Sequence, residues 1–184
     1  MGYNNKVWRA LQKSRHIDVD KLKELNPVNV ECAPVNPEVF EASSEKIIIT
    51  SLVNDVLNFA KDETEKHRTE CAVLLCGKKH SPFIYLTDPY MERGEAYSAS
   101  YSTDQMKCAG QTIKFGGEVC YAHTHVTRGS SYKCFSVNDL AYLVTQALNA
   151  HRDAYGMLIT SDGTMAIKFD HIRSEFYRVE IEIR

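Results

Sequence analysis

The run Glu70–Gly77, with the sequence ECAVLLCG, is the feature that most restricts how this chain can fold. Its six central residues are all apolar, so a strand formed by them has no polar face to turn toward water. Such a strand must be buried on both sides. A chain that buries a strand in this way needs further layers of structure above and below it, which favours a layered domain.

The segments around this run alternate between strand patterns and helix patterns. The β-branched residues at 46–50 predict a strand, and apolar residues at helical spacing from Leu52 to Ala60 predict a helix capped by Ser51. Further patterns predict strands at 82–87, 118–124, 155–160, 164–169 and 177–183, and helices at 103–114 and 137–151. Because strands and helices are mixed and hairpins join several strands, we predict an α/β fold with a mixed sheet and helices on its faces.

The first 44 residues differ from the rest of the chain. Short helices are predicted at 7–14 and 19–25, and the prolines at 27, 34 and 37 favour extended chain lying over a surface. This stretch has too few apolar residues to fold alone. We therefore assign residues 1–44 to an N-terminal extension outside the catalytic core, and residues 45–184 to the main domain.

Composition restricts the function. The net charge is -2, so the chain has no basic field for binding nucleic acid or an anionic membrane. No apolar run reaches the roughly 20 residues of a membrane span, and the polar first residues do not resemble a signal peptide. The six cysteines contain no CxxC pair and are expected to be reduced thiols. We expect a cytoplasmic protein that binds neither nucleic acid nor membranes.

Two histidines, His123 and His125, close the predicted strand at 118–124. Residues two apart on a strand share a face, so both imidazoles can reach one point in space. This is a geometry for metal ligands. In a chain with 7 histidines, however, such a pair can also arise by chance.

A carboxylate and a hydroxyl follow this pair at the start of the next predicted helix. Asp139 lies in the first turn and can point back toward the strand ends, and Ser136 precedes it at the cap position. Two imidazoles and one carboxylate would leave zinc one open position, as in catalytic sites. The alternative is structural, because Ser followed three residues later by an acidic residue also resembles a capping box.

Glu70 opens the buried strand. A catalytic zinc site needs a base for the proton of the attacking water, and a carboxylate within hydrogen-bond reach can supply it. A glutamate at the edge of a buried strand can also be simply solvated.

Together, Glu70, His123-Thr124-His125 and Ser136-x-x-Asp139 resemble the JAMM motif of the JAB1/MPN/Mov34 metalloprotease family. The resemblance covers roughly residues 46–184. It implies an MPN fold, in which helices flank a mixed, curved β-sheet with the layering of cytidine deaminases. The chain departs from the family pattern at Val126, where proline is usual, and the loop 126–135 is three residues longer than the usual spacer.

The resemblance also implies roles for the motif residues. His123, His125 and Asp139 would bind one zinc ion per chain, Glu70 would be the general base, and Ser136 would donate a hydrogen bond to the oxyanion. Family members cut peptide or isopeptide bonds at the C-terminus of ubiquitin or ubiquitin-like proteins. A ubiquitin-like protein or its conjugate is therefore the expected substrate.

Two other functions remain open. One is a non-catalytic MPN-type scaffold, although scaffold members typically lack some ligands that this chain retains. The other is a zinc hydrolase acting on a small molecule; a deaminase is disfavoured because the His-x-Glu and Pro-Cys-x-x-Cys motifs are absent. The oligomeric state is not predicted.

Several residues near the motif have both a functional and a structural interpretation. Cys134 could approach the zinc ion as a redox-sensitive ligand or could be an idle loop cysteine. The loop residues Arg128, Tyr132 and Lys133 could contact substrate or be solvated. The tyrosines of the polar connection could form a binding surface or an aromatic edge: Tyr90, Tyr97 and Tyr101.

Overall fold

The structure is a computed structural model that describes residues 5–25, 30–94, 99–127 and 131–184. Its helices are α1 (Asn5–Lys13), α2 (Val19–Leu25), α3 (Ser51–His67), α4 (Thr103–Lys114) and α5 (Val137–Ala150). Its strands are β1 (Pro34–Val35), β2 (Glu41–Ile49), β3 (Cys71–His80), β4 (Phe83–Arg93), β5 (Glu118–Thr124), β6 (Phe135–Ser136), β7 (Ala154–Thr160), β8 (Gly163–Asp170) and β9 (Glu175–Ile183). None of the helices in these ranges is long and apolar enough to cross a lipid bilayer.

Seven strands form a closed barrel in the order β2-β4-β3-β5-β7-β8-β9, with β9 returning to β2. Strand β2 is parallel to both of its neighbours, and β5 is parallel to β7, whereas the other neighbouring pairs are antiparallel. The remaining strands, β1 and β6, form a separate two-stranded antiparallel sheet.

The prediction of an MPN fold, with a curved sheet flanked by helices, is wrong, because the sheet closes on itself. Closure occurs where the last strand pairs with the first strand of the barrel: Ile47 lies opposite Ile181, and Ile49 lies opposite Ile183. The alternating pattern of residues 177–183 predicts a strand, but it carries no information about the partners of that strand. An edge strand and a strand with two neighbours can therefore show the same alternation.

Two apolar cores lie on the two faces of the barrel strands. One core takes residues from all seven strands, which identifies it as the barrel interior, and includes Val53, Leu57 and Ala60 of α3. The other covers the outside of part of the barrel and includes residues of α1, α4 and α5. Successive residues of β3 enter different cores, with Val73 inside and Leu74 outside, so the run ECAVLLCG is buried on both faces as its sequence indicates.

The N-terminal residues pack into the outer core. Val7 and Leu11 of α1 are buried there together with residues of α5. Farther along, Glu175 at the start of β9 accepts hydrogen bonds from the Ser14 hydroxyl, at 3.3 Å, and from the Arg15 side chain, at 3.1 Å. The boundary after residue 44 falls inside β2. The assignment of residues 1–44 as an extension outside the catalytic core stays a prediction.

Candidate metal centre and active site

The end of β5 places the two histidines of the His-x-His pair side by side. His123 lies on β5, and His125 is the first residue after the strand ends. Their Nε2 atoms are 3.1 Å apart. Both side chains are largely buried, with 12% and 17% of their surface exposed. The shared-face geometry expected from the spacing is therefore present at the end of a buried strand.

Asp139 reaches this pair from the first turn of α5. Its Oδ1 atom lies 3.5 Å from Nε2 of His123, and its Oδ2 atom lies 3.9 Å from Nε2 of His125. One ligand atom from each of the three side chains lies within 4.8 Å of the other two. The structure thus brings together all three predicted metal ligands in an arrangement that could hold a metal ion.

A backbone carbonyl fixes the orientation of His125. Its Nδ1 atom lies 3.1 Å from the carbonyl oxygen of Tyr132. A carbonyl oxygen only accepts hydrogen bonds, so Nδ1 must carry the proton, and Nε2 of the neutral ring then offers its lone pair to the cluster. This is the tautomer and the type of outer contact that metal-binding histidines commonly have.

The charges of the cluster are strongly coupled. Burial lowers the pKa of His125 to about 4, helped by the neighbouring His123, so that His125 is neutral near pH 7. Burial alone would lower the pKa of His123, but the ion pair with Asp139 raises it overall. Burial would likewise raise the pKa of Asp139, yet its pairing with His123 and His125 holds it well below its usual range. The carboxylate is therefore ionised and available as a ligand.

Ser136 and Asp139 also form the capping box of α5. The Ser136 hydroxyl accepts the backbone N–H of Asp139 at 3.1 Å, and the Asp139 carboxylate accepts the backbone N–H of Ser136 at 2.7 Å. The Ser136 hydroxyl also donates to Oδ2 of Asp139 at 2.7 Å. The structural interpretation of these two residues is confirmed. It does not conflict with metal binding, because Oδ1 of Asp139 points toward His123.

Glu70 lies directly before β3, beside the end of β5. The pairing of Ala72 with His123 brings the two strand ends together. Burial raises the pKa of the Glu70 carboxyl to about 7; the charge of His123 lowers it and that of Asp139 raises it. A carboxyl with this pKa can both take and give a proton at neutral pH, as a general acid–base catalyst must.

The five predicted site residues line one cavity of about 530 Å³. Cys134 and Tyr132 also line it, so both lie at the site, but whether Cys134 regulates a metal stays a prediction. The N-terminal residues add a further wall to this cavity, through side chains that the sequence does not single out: Glu31, Cys32 and Pro34. The pairing of β1 with β6, with Pro34 opposite Ser136, explains their position, and no sequence pattern indicates this short sheet.

The long loop after His125 is held at both ends. The backbone N–H of Thr127 donates to Glu65 of α3 at 3.1 Å. At the other end, the Tyr132 hydroxyl donates to Asp162 at 2.7 Å and Lys133 forms an ion pair with the same carboxylate. These contacts engage Tyr132 and Lys133 within the protein. Arg128 and Tyr97 lie outside the described residues, so the predictions made for them stay predictions.

Comparison with known proteins does not assign the chain to a family. No model of a known protein family matches the chain, and no curated protein matches it. It is similar to the solution structure of protein DSY2949 from Desulfitobacterium hafniense, with 15% sequence identity and a TM-score of 0.42. That similarity covers 75% of this chain and 92% of the other, and is too weak to support an argument about function.

Proposed function

We propose that this chain is a zinc-dependent peptidase or isopeptidase that cleaves a peptide or isopeptide bond through an activated water. The proposal depends on one observation: three potential metal ligands and a carboxyl with a pKa near 7 line the same cavity. A metal cluster alone could be structural. A cluster with one open position beside a proton-accepting group is typical of hydrolytic enzymes.

The donor set fits a zinc ion. Two imidazole nitrogens and one carboxylate oxygen are ordinary zinc ligands. The Nε2 lone pair of His125 is directed into the cluster by the Tyr132 carbonyl, and the Asp139 carboxylate is ionised. The Nε2 atoms of His123 and His125 lie 3.1 Å apart, so both could serve as ligands of one ion.

The mechanism follows from the positions of Glu70 and Ser136. Zinc supplies the acidity that makes a water molecule nucleophilic near neutral pH. Glu70 takes the proton from the water as it attacks the carbonyl carbon and later delivers it to the nitrogen of the leaving amine. The Ser136 hydroxyl turns away from Asp139 and donates a hydrogen bond to the carbonyl oxygen of the substrate as that oxygen gains negative charge.

The substrate class rests on the resemblance of the five residues to the JAMM motif. We propose a ubiquitin-like protein or its conjugate as the substrate, with cleavage at its C-terminus. The proposal assigns the roles of the motif residues to this chain, but it does not assign the fold of that family. We propose the cytoplasm as the compartment, in keeping with the buried thiols of Cys71, Cys76 and Cys120.

Metal content and turnover, measured on the same variants, test the proposal. The full chain, purified without added metal, should carry about one equivalent of zinc and cleave a ubiquitin-like protein bearing a C-terminal Gly-Gly amide or fusion. Glu70→Gln should keep the zinc and lose about 100-fold or more of the activity. His123→Ala should lose both, whereas His67→Ala on the exposed end of α3 should lose neither.

Each other outcome identifies which part of the proposal is wrong. Iron in place of zinc would contradict the metal assignment, because two histidines and one carboxylate also bind iron in oxygenases. Zinc without turnover would favour a non-catalytic scaffold. Loss of zinc from Glu70→Gln would make Glu70 a ligand and not the base.

A further inference from the structure

A second cavity, of about 310 Å³, adjoins the candidate metal centre. The two cavities share four lining residues: Ala99, His123, Asn138 and Asp139. Any molecule in the second cavity would therefore lie beside the metal ligands. Its volume is at the lower end of the range for ligand sites, which suits a single side chain better than a length of peptide.

Three tyrosines from separate parts of the chain line this cavity. Tyr101 precedes α4, Tyr121 lies on β5, and Tyr142 lies on α5. The rings of Tyr101 and Tyr142 are stacked with centroids 5.5 Å apart, and Tyr121 meets both of them edge to face with centroids at 5.4 Å. We call this group the tyrosine triad. Both arrangements are favourable geometries for aromatic rings, so the triad is a stable wall.

The hydroxyl groups of the triad are engaged by the protein. Tyr101 donates to the carbonyl oxygen of Ala122 at 2.8 Å, and Tyr121 donates to the side chain of Gln146 at 3.3 Å. The hydroxyl of Tyr142 lies 3.4 Å from the sulfur of Met106. Because these polar groups already have partners, the triad offers a ligand mainly ring surface.

The rest of the lining combines apolar residues with three uncharged polar ones, Ser100, Asn138 and Gln146. Phe135 and Leu143 are buried, and Met106 is half-buried. Apart from the metal-ligand candidates His123 and Asp139, no described lining residue is a lysine, arginine, histidine or carboxylate. A charged side chain would lose its hydration here without finding an opposite charge that is not already paired. An uncharged aromatic group would meet aromatic and sulfur-containing surface.

We propose that this aromatic pocket binds the uncharged aromatic side chain of the residue that supplies the leaving amine, directly after the Gly-Gly end of a peptide-bonded substrate. The position of this residue beside the cleaved bond rests on the proposed function, which places the scissile carbonyl at the metal centre. Binding of an aromatic group to the pocket does not require metal or turnover. The two proposals can therefore fail separately.

Binding of small amides to the metal-free full chain tests the pocket directly. N-acetylphenylalanine amide, observed by ligand-detected NMR and titration, should bind at least about tenfold more tightly than N-acetylglycine amide or N-acetyllysine amide. Ser100→Trp should weaken binding of the phenylalanine probe to a similar extent, because Ser100 is exposed and lines the pocket. Ser44→Trp is the matched control, because Ser44 is also exposed but lies on β2, outside the pocket lining.

Two further variants distinguish the pocket from the metal site. Tyr142→Phe keeps the ring and should keep binding of the phenylalanine probe, whereas Tyr142→Ala should weaken it. His125→Ala should bind the probe normally although it loses metal, because His125 lines only the catalytic cavity. Equal binding of the three amides, or normal binding to Ser100→Trp, would overturn the proposal. Absence of zinc or of turnover in the wild type, with intact probe binding, would overturn the proposed function alone.

Discussion

The hydroxyl oxygens of Thr64 and Thr124 lie 2.5 Å apart where α3 meets the end of β5. Both side chains are buried, and the Thr124 oxygen also accepts the backbone N–H of Cys71 at 2.7 Å. Thr124 stands between the two candidate histidine ligands, and Cys71 directly follows Glu70. One buried hydroxyl therefore connects the strand end that carries the ligands with the strand start that carries the candidate base.

Replacing Thr124 by valine should damage both stability and metal binding. Thr124→Val keeps the shape of the side chain but removes the acceptor of the buried Cys71 N–H, which typically costs about 1–3 kcal/mol, and leaves the Thr64 hydroxyl only its contact with the Cys71 sulfur. We expect a lower free energy of unfolding in urea and a weaker zinc affinity by titration. Thr164→Val, at a half-buried threonine on β8, is the control. It should change the free energy of unfolding by no more than about 0.5 kcal/mol and leave the zinc affinity unchanged. Equal behaviour of the two variants would contradict the positioning role.

The stability of the metal-free protein should fall as Glu70 ionises. The pKa of Glu70 is about 7 in the folded protein and 4.5 in its ordinary environment, so the folded chain binds this proton more tightly than the unfolded chain. The resulting stabilisation is present in full below pH 4.5 and is lost as the pH rises through 7.

Glu70→Gln does not titrate and should remove this dependence. Relative to the wild type, its free energy of unfolding should rise between pH 5 and pH 8 by about 2 kcal/mol, a value discounted for partial exposure. Urea unfolding of both proteins with a chelator present measures the difference. Glu180→Gln, at an exposed glutamate on β9, is the control. A constant difference across this range would show that Glu70 is not shifted.

Zinc should raise the melting temperature through the three ligands. A ligand that binds only the folded state stabilises it by about 2.7 kcal/mol at a concentration 100 times its Kd. We expect zinc to raise the melting temperature of the wild type but not that of Asp139→Asn. This variant keeps much of the helix cap but replaces the carboxylate ligand by a weaker one. Asp55→Asn, on the first turns of α3, should respond to zinc like the wild type. A full shift in Asp139→Asn would place the metal elsewhere.

Leu11 should contribute to the stability of the whole domain. It is fully buried against the outer core, so Leu11→Ala should lower the free energy of unfolding by about 2–5 kcal/mol. Leu52→Ala removes the same atoms from a side chain that is 61% exposed and should have little effect. A small effect of Leu11→Ala would support an N-terminal extension that can be separated from the domain.

The local chemistry of the site could be predicted from the sequence, because it depends on short-range geometry. The alternation of a strand brings His123 and His125 to one face, and the first turn of a helix directs Asp139 back toward the strand end. The helix caps at Ser102 and Ser136 follow from the same short-range rules, whereas the cap of α3 is Thr50 and not the predicted Ser51.

The features that the sequence did not reveal all depend on pairing between distant segments. Closure of the barrel requires Ile47 to pair with Ile181. The alternation of apolar and polar residues within a strand does not indicate which strand it pairs with. The tyrosine triad joins residues from three separate parts of the chain, and the sequence does not distinguish Tyr121 from any other buried tyrosine. The contact of His125 with Tyr132 involves a backbone carbonyl, which every residue has and no composition can indicate.

The pairing of β1 with β6 has a consequence for the order in which the protein matures. The carbonyl oxygen of Ala33 accepts the N–H of Val137, and Pro34 lies opposite Ser136. On the ribosome, residues 33–35 emerge long before their partners at 135–137 have been made. One wall of the candidate site therefore cannot form on the growing chain until α5 begins to emerge, so the site becomes complete only late in synthesis.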